Sequence, residues 1–491
     1  MSLVLLFLFL FPIFLLYRSL FSKKPNLPPS PASLPFIGHL YLLDSRTQHR
    51  SLHSLSLRYG KPDSSQLILL NLPSPTLVVS TASAAELVLK THDLAFASRP
   101  ASFSEGTHVN GTGQGVSFSE YGNYWRQSKK FIVVHLLGQK RVFSAPFRAA
   151  RAEEVTAMMN RIAANKGEMN LSDCFYAYAN GVVSRAIAGK GSNAQRFREL
   201  MGDISAVLAN GSLYRLAAEV FPGIGKLITK MSGLDEKFEL YNRNWNQFVA
   251  EIIEDKKKTA NTKEEDFVDV LMRAREDGTA GFDLTENDII AIIRDMTAAA
   301  TDTTFITLEW IMSELMKNPN VMAKAQTEIR QIAGKKSMVT EDDLNQIEYI
   351  RAVIKEAMRL HPPAPLLVPH ESTTSSVIHG YEIPPKTKLI INAWAIARDP
   401  QSWEAPEEFR PERFIGSEVD FSGNHFQFIP FGAGRRMCAG INFGMATIEL
   451  AIANLLYSFD WRLPGRDLDM DEGVGISVPR RNPLYVIATK V

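Results

Sequence analysis

The sequence predicts a mainly α-helical fold with a smaller β region. Three observations carry that expectation. Thr285-Glu286-Asn287-Asp288 resembles a capping box and opens an apolar-periodic run that Asn318-Pro319 stops. A helix across that run is about 32 residues, or roughly 48 Å, enough to cross a whole domain. From Ala149 to about Lys258 the chain reads as helices with weak breaks, and Ile441 to Tyr457 as another apolar helix. Strand-like runs are short by comparison. Leu67-Ile68-Leu69-Leu70 and Thr76-Leu77-Val78-Val79-Ser80 flank the turn-rich Asn71-Leu72-Pro73-Ser74-Pro75, as in a hairpin.

The chain has 491 residues, 45% hydrophobic and 22% charged. That is enough for a large core, and length alone suggests two or more domains. A net charge of +1 gives no electrostatic case for nucleic acid. Two cysteines, Cys174 and Cys438, argue against a disulfide scaffold. Cys174, inside Cys174-Phe175-Tyr176-Ala177-Tyr178, reads as a small core residue.

In chain order, Leu3 to Leu16 is almost wholly Leu, Val, Phe and Ile, and continues to Phe21. The run is long enough to cross a membrane if Arg18 snorkels. Arg18, Lys23 and Lys24 follow it, which puts the body in the cytosol behind a retained anchor. Pro25 to Pro35 carries five prolines and forms a stiff connector. Ala82 to Thr91 reads as a helix and Ser98-Arg99-Pro100 as a break. Ala101 to Glu120, with Gly106, Gly111, Gly113 and Gly115, reads as a functional loop. Trp125 and Lys129 are helix neighbours at i and i+4. Glu254 to Asp266 reads as a charged connector, and Asp266 opens another amphipathic helix.

The chemistry concentrates in Phe431-Gly432-Ala433-Gly434-Arg435-Arg436-Met437-Cys438-Ala439-Gly440. A thiolate ligates metal only when its charge is stabilised. Loop glycines let backbone N–H groups approach the sulfur, the following helix adds its dipole, and the arginines can hold an anion. The run resembles the haem-binding loop of the cytochrome P-450 superfamily, Phe-x-x-Gly-x-Arg-x-Cys-x-Gly, matched by Phe431, Gly434, Arg436, Cys438 and Gly440. Plant members usually carry proline where Ala439 stands. The resemblance implies that Cys438 is the axial ligand of a haem iron and that Arg436 binds a haem propionate, with Phe431 in the cofactor loop.

Other segments extend the resemblance over almost the whole chain. Pro28, Pro29, Pro31, Pro35 and Gly38 look like the microsomal proline hinge. Trp125-Arg126-Gln127-Ser128-Lys129-Lys130 looks like Trp-Arg-x-x-Arg-Lys, which implies Trp125 and Arg126 as propionate contacts, with Lys129 in place of arginine. Ala299, Asp302, Thr303 and Thr304 match the oxygen-activation motif of the central helix, with Ala300 replacing its usual glycine. The implied catalytic pair is Asp302, relaying protons, and Thr303, the hydroxyl at the oxygen site. Glu356, Arg359 and Arg413 resemble the family's buried Glu-x-x-Arg network. His370 stands where an arginine often touches a propionate. By family position, Ala206 to Pro222, Ala364 to Val368 and Gly473 to Ile476 face substrate.

The resemblance thus implies the cytochrome P-450 fold, mainly α with a smaller β region, with a membrane anchor at 1–22, a proline-rich hinge at 23–37 and one haem-thiolate domain at 38–491. It is nearest to plant microsomal A-type monooxygenases, on the endoplasmic reticulum membrane with the body cytosolic. Such an enzyme oxidises a small lipophilic metabolite (a terpenoid, phenylpropanoid or alkaloid) with dioxygen. Its electrons come from NADPH through a separate reductase, for which Lys129 and Lys130 are candidate docking residues. Two alternatives stand beside it: a haem isomerase or dehydratase needing no external electrons, and a non-enzymatic haem sensor.

Overall fold

The computed structural model describes residues 26–491 apart from 36, 45, 62–64, 101–114, 191–193, 203–229, 232, 259–264 and 466. The expected anchor, the start of the hinge, most of the loop that begins at Ala101 and the segment from Ala206 to Pro222 lie outside the described residues.

The main elements, in order, are α1 (Gln48–Tyr59), β1 (Ile68–Leu72), β2 (Ser74–Val79), α2 (Asn123–Phe131), α3 (Ala145–Ala164), β3 (Glu168–Asn170), α4 (Leu171–Ala188), α5 (Leu234–Lys258), α6 (Phe267–Glu276), α7 (Glu286–Lys317), α8 (Pro319–Ala333), α9 (Tyr349–Leu360), β4 (His370–Glu371), β5 (Ser376–Ile378), β6 (Tyr381–Ile383), β7 (Lys388–Ile391), α10 (Ile441–Ser458), β8 (Phe459–Arg462) and β9 (Tyr485–Lys490). Helices α3 to α10 share one large core, in which α7 packs against α4, α9 and α10. A mixed sheet in the order β1-β2-β7-β4 builds a second core on the other side. Its β1–β2 hairpin is antiparallel and places Leu70 opposite Thr76, while β2 runs parallel to β7.

The central helix forms as its ends dictate. The Asp288 amide donates to Thr285 Oγ1 at 3.2 Å, and the Asp288 carboxylate takes the Thr285 amide at 3.0 Å, which closes the capping box. Asn318 ends the helix by returning its amide to Glu314, and Pro319 starts α8. The 32 residues between are unbroken α-helix, through Ala300 as well.

The sequence reading needs correction at Glu254 to Asp266. Helix α5 continues through Lys258, because Glu254 pairs with Lys257 at 2.6 Å and Asp255 with Lys258 at 3.3 Å across one turn. Asp266 is then the N-cap of α6.

On α9, Arg359 grips Glu356 with two parallel bonds of 2.7 and 2.9 Å, and Arg413 reaches the same carboxylate at 3.0 Å. The remaining Arg359 donors go to the carbonyls of Ala397, Pro406 and Glu408. Glu356 and Arg359 are fully buried. Every charge here has a partner, so removing one strands the others in a dry interior. Arg359→Ala is expected to cost roughly 3–5 kcal/mol. Thermal denaturation with a parallel haem assay checks this, and a variant with wild-type midpoint and haem content contradicts it.

Candidate active site

The cysteine loop leads into α10. The Cys438 amide donates to the Phe431 carbonyl at 3.0 Å, and the Gly440 amide donates to Cys438 Sγ at 3.3 Å. Gly434 sits at φ +67, and a Cβ there would lie 2.0 Å from the Leu89 carbonyl oxygen, so glycine is required. The Cys438 side chain has open surface, although burial pushes its thiol pKa up. The Gly440 N–H and the Lys129 ammonium oppose that shift.

Four basic side chains converge behind this loop. Arg436 donates to the carbonyls of Ala97 and Ser119, each at 2.7 Å, and lies 4.1 Å over the Trp125 ring. Trp125 Nε1 donates to the Val116 carbonyl at 3.1 Å. Arg99, buried, donates to the carbonyls of Ser117, Val368 and Pro369. His370 Nδ1 donates to the Phe96 carbonyl at 2.8 Å. Lys129 donates to the carbonyls of Arg435, at 3.1 Å, and Met437.

Their titration reports crowding. Burial pushes Arg436 down to about 9. Burial and then repulsion from Arg436 hold Arg99 well below its usual range. His370 is lowered by burial and by Arg99. Lys129 falls to about 8, mainly through burial, with Arg436 and Arg99 also opposing its charge and Cys438 favouring it. They donate to backbone carbonyls, and the nearby Asp93 is engaged by Arg435 at 3.1 Å. Buried cations held by dipoles alone are expensive. An anion brought to this cluster would relieve them.

A second opening lies in the middle of α7. Ile289 to Ile293 and Ile306 to Met316 are buried, yet Ala299 between them is exposed and Ala298, Ala300, Asp302 and Thr303 are half-buried. This opening in the packing falls at the small residues. Thr303 Oγ1 donates to the Ala299 carbonyl at 2.6 Å, within its own helix. Burial alone raises the Asp302 carboxyl to about 6. Burial, with help from the Asp302 charge, raises Tyr176 on α4 to about 12. An accessible thiol, a cationic cradle and a small-residue face suit a flat macrocycle with an iron centre and two carboxylate tails.

The structure therefore brings Cys438, Arg436, Trp125, His370 and Phe431 to one loop region, with Asp302 and Thr303 on the opened face of α7. Arg126 lies elsewhere. It is exposed and, among the described residues, donates to Asn123 at 3.3 Å, while Lys129 on the next turn of α2 joins the cluster. Arg99 was missed in the sequence because Ser98-Arg99-Pro100 reads as a break.

A family model for cytochrome P450 matches residues 28–487. Cytochrome P450 71A1 of Persea americana is 45% identical over 472 residues, covering 92% of this chain and 91% of that protein. (+)-Menthofuran synthase of Mentha piperita is 40% identical over 482 residues, covering 96% and 95%. Phenylacetaldehyde oxime monooxygenase of Prunus mume is 38% identical over 487 residues, covering 95% and 90%. A solved zebra fish cytochrome P450 with abiraterone shares the fold at a TM-score of 0.73 and 24% identity, over 90% of this chain and 99% of that one. The chain belongs to the cytochrome P450 family. It is an oxidoreductase, a haem-thiolate monooxygenase.

If the cluster is built for the cofactor's carboxylates, Arg99→Met has opposite effects on two states. The haem-free protein keeps or gains stability, because an uncompensated buried cation is gone, while haem leaves the loaded protein about tenfold faster or more. Melting of the apoprotein and haem transfer to an acceptor globin measure the two. Unchanged haem loss would remove Arg99 from the site.

Proposed function

We propose that this monooxygenase oxidises a small lipophilic plant metabolite, drawing electrons from NADPH through a separate membrane-bound reductase. The observation that carries the reading is the Asp302–Thr303 pair on the opened stretch of α7, in a chain whose cysteine loop carries its own cationic cradle. Haem held by the Cys438 thiolate supplies the oxygen chemistry, in which dioxygen takes two electrons and two protons, one atom enters the substrate and the other leaves as water. Arg436 and Arg99 would hold the propionates, while Trp125 and His370, whose N–H groups go to the carbonyls of Val116 and Phe96, would only flank them. Asp302, able to hold or release a proton near neutral pH, passes protons inward. Thr303 swings its hydroxyl from the Ala299 carbonyl toward the reacting oxygen. An isomerase without external electrons has no use for such a pair.

The relatives' names, one for menthofuran and one for phenylacetaldehyde oxime, support a specialised-metabolite substrate without choosing its class. The apolar residues that family position gives to the pocket do not choose it either. Leu366 packs with the cluster around Leu52 and Ile68, Leu367 joins the sheet core, and Val474 is exposed. For the reductase, Lys130 is exposed and free to dock, whereas Lys129 is tied to the loop carbonyls. The endoplasmic reticulum location rests on the apolar run from Leu3 to Phe21. Among the described residues no helix is long and apolar enough to cross a membrane.

Asp302→Asn tests the reading in two ways. In the loaded enzyme with reductase, product formed per NADPH consumed is expected to fall tenfold or more. In the apoprotein, the folded carboxyl keeps its proton to about 6, while an unfolded one loses it near ~4. The raised folded value means stability is complete below about pH 4 and declines as pH rises to about 6. The asparagine variant lacks that decline and is the more stable protein at pH 7.5. Equal coupling in the variant would sink the proton role.

A further inference from the structure

A small cavity lies between the C-terminal end of α9, the helical turn Ala393–Ile396 and the segment from Glu472 to Val478. Trp310, His361, Pro362, Pro365, Trp394, Glu472 and Val478 line it. About 10 Å³ is open to the centre of a water-sized molecule, which is the room one water needs. Two buried polar atoms on this lining have no hydrogen-bond partner, Trp394 Nε1 and His361 Nδ1. An unpartnered polar atom in such a place is costly.

The chemistry of the lining selects the occupant. His361 Nε2 lies 2.7 Å from Glu314 Oε1. Burial would raise the Glu314 carboxyl, but His361, Lys317 and Asn318 bring it below its usual range, so it is ionised and accepts only. His361 therefore carries its proton on Nε2, and burial lowers its pKa, which leaves the ring neutral with a bare lone pair at Nδ1. Glu472 Oε2 is taken by His49 Nε2 at 3.0 Å and by Arg50 Nε at 2.8 Å, leaving Oε1 for a further donor. Trp394 offers only a donor. The site thus presents one donor and two acceptors. A cation would meet the indole N–H, and an anion would meet a carboxylate and a lone pair. A water accepts once and donates twice, which matches.

We propose that one structural water occupies this cavity, accepting from Trp394 Nε1 and donating to His361 Nδ1 and Glu472. It completes a chain from Glu314 on α7, through His361, to Glu472 and His49 on α1. The apolar walls help to fix it. Trp310 stacks on the His361 ring at 4.1 Å and 3°, and its own Nε1 donates to the Val478 carbonyl at 3.0 Å. Glu472 immediately precedes Gly473 to Ile476, so the water positions the root of that segment against two helices.

The test is a density map of the haem-loaded full chain at a resolution where buried waters are ordered. A peak within hydrogen-bond distance of both Trp394 Nε1 and His361 Nδ1 is expected, and a dry cavity overturns the proposal. A second arm uses Val478→Ile, which adds one methylene at the lining. A bonded water makes the substitution unfavourable, with the peak lost and the thermal midpoint lowered. A raised midpoint would mean an empty apolar void had been filled, and would overturn the proposal too.

Discussion

Arg99, Arg436 and Lys129 sit behind the cysteine loop on backbone carbonyls, with Arg436 over the Trp125 face. Carbonyl dipoles and an indole face soften the burial of positive charge without neutralising it. The site's geometry depends on this imbalance. Asp93, close by, is drawn off by Arg435, so the cradle stays positive. Contrast the Glu356–Arg359–Arg413 network, where an internal carboxylate pairs with both guanidinium groups and the result is rigid structure. One set of buried charges is complete within the chain. The other becomes complete only when a ligand carries in the negative groups, which links cofactor binding to stability.

The same loop needs its backbone nearly bare. Gly434 lets the chain pass against Leu89, and that passage brings Arg435 and Arg436 to opposite tasks, one toward Asp93 and one toward Trp125. The Gly440 N–H bond and the start of α10 then meet the sulfur. Burial works against the thiolate, so these local contacts and the metal together must hold it.

Much of this was legible because it is local in sequence. The cysteine loop lies within ten residues, the capping box of α7 within four, and the Glu356–Arg359 pair within one helical turn. What was not legible depends on which way a helix faces or on distant neighbours. Trp125 and Arg126 are adjacent in sequence but a hundred degrees apart around α2, so only Trp125 turns inward, and Lys129, one turn on, is its companion. Arg99 takes its meaning from carbonyls at 117, 368 and 369, which no reading of Ser98-Arg99-Pro100 could supply. Leu366 and Leu367 are neighbours whose side chains enter two different cores.

The central helix shows where a departure from family pattern is absorbed. A glycine at position 300 would leave the backbone free to widen beside the hydroxyl. With Ala300 the helix runs unbroken, and the hydroxyls of Thr297, Thr303 and Thr307 return to the carbonyls of Ile293, Ala299 and Thr303. Each such bond lets a carbonyl lean away from the helix axis toward a second donor. The Thr303 bond does this at Ala299, where the helix surface is exposed. The opening beside Asp302 therefore rests on the missing side-chain bulk of Ala298, Ala299 and Ala300 and not on a broken ladder. Thr303 must give up its bond to Ala299 before it can donate elsewhere, so its hydroxyl is held in reserve at the cost of one ordinary hydrogen bond, about 1 kcal/mol.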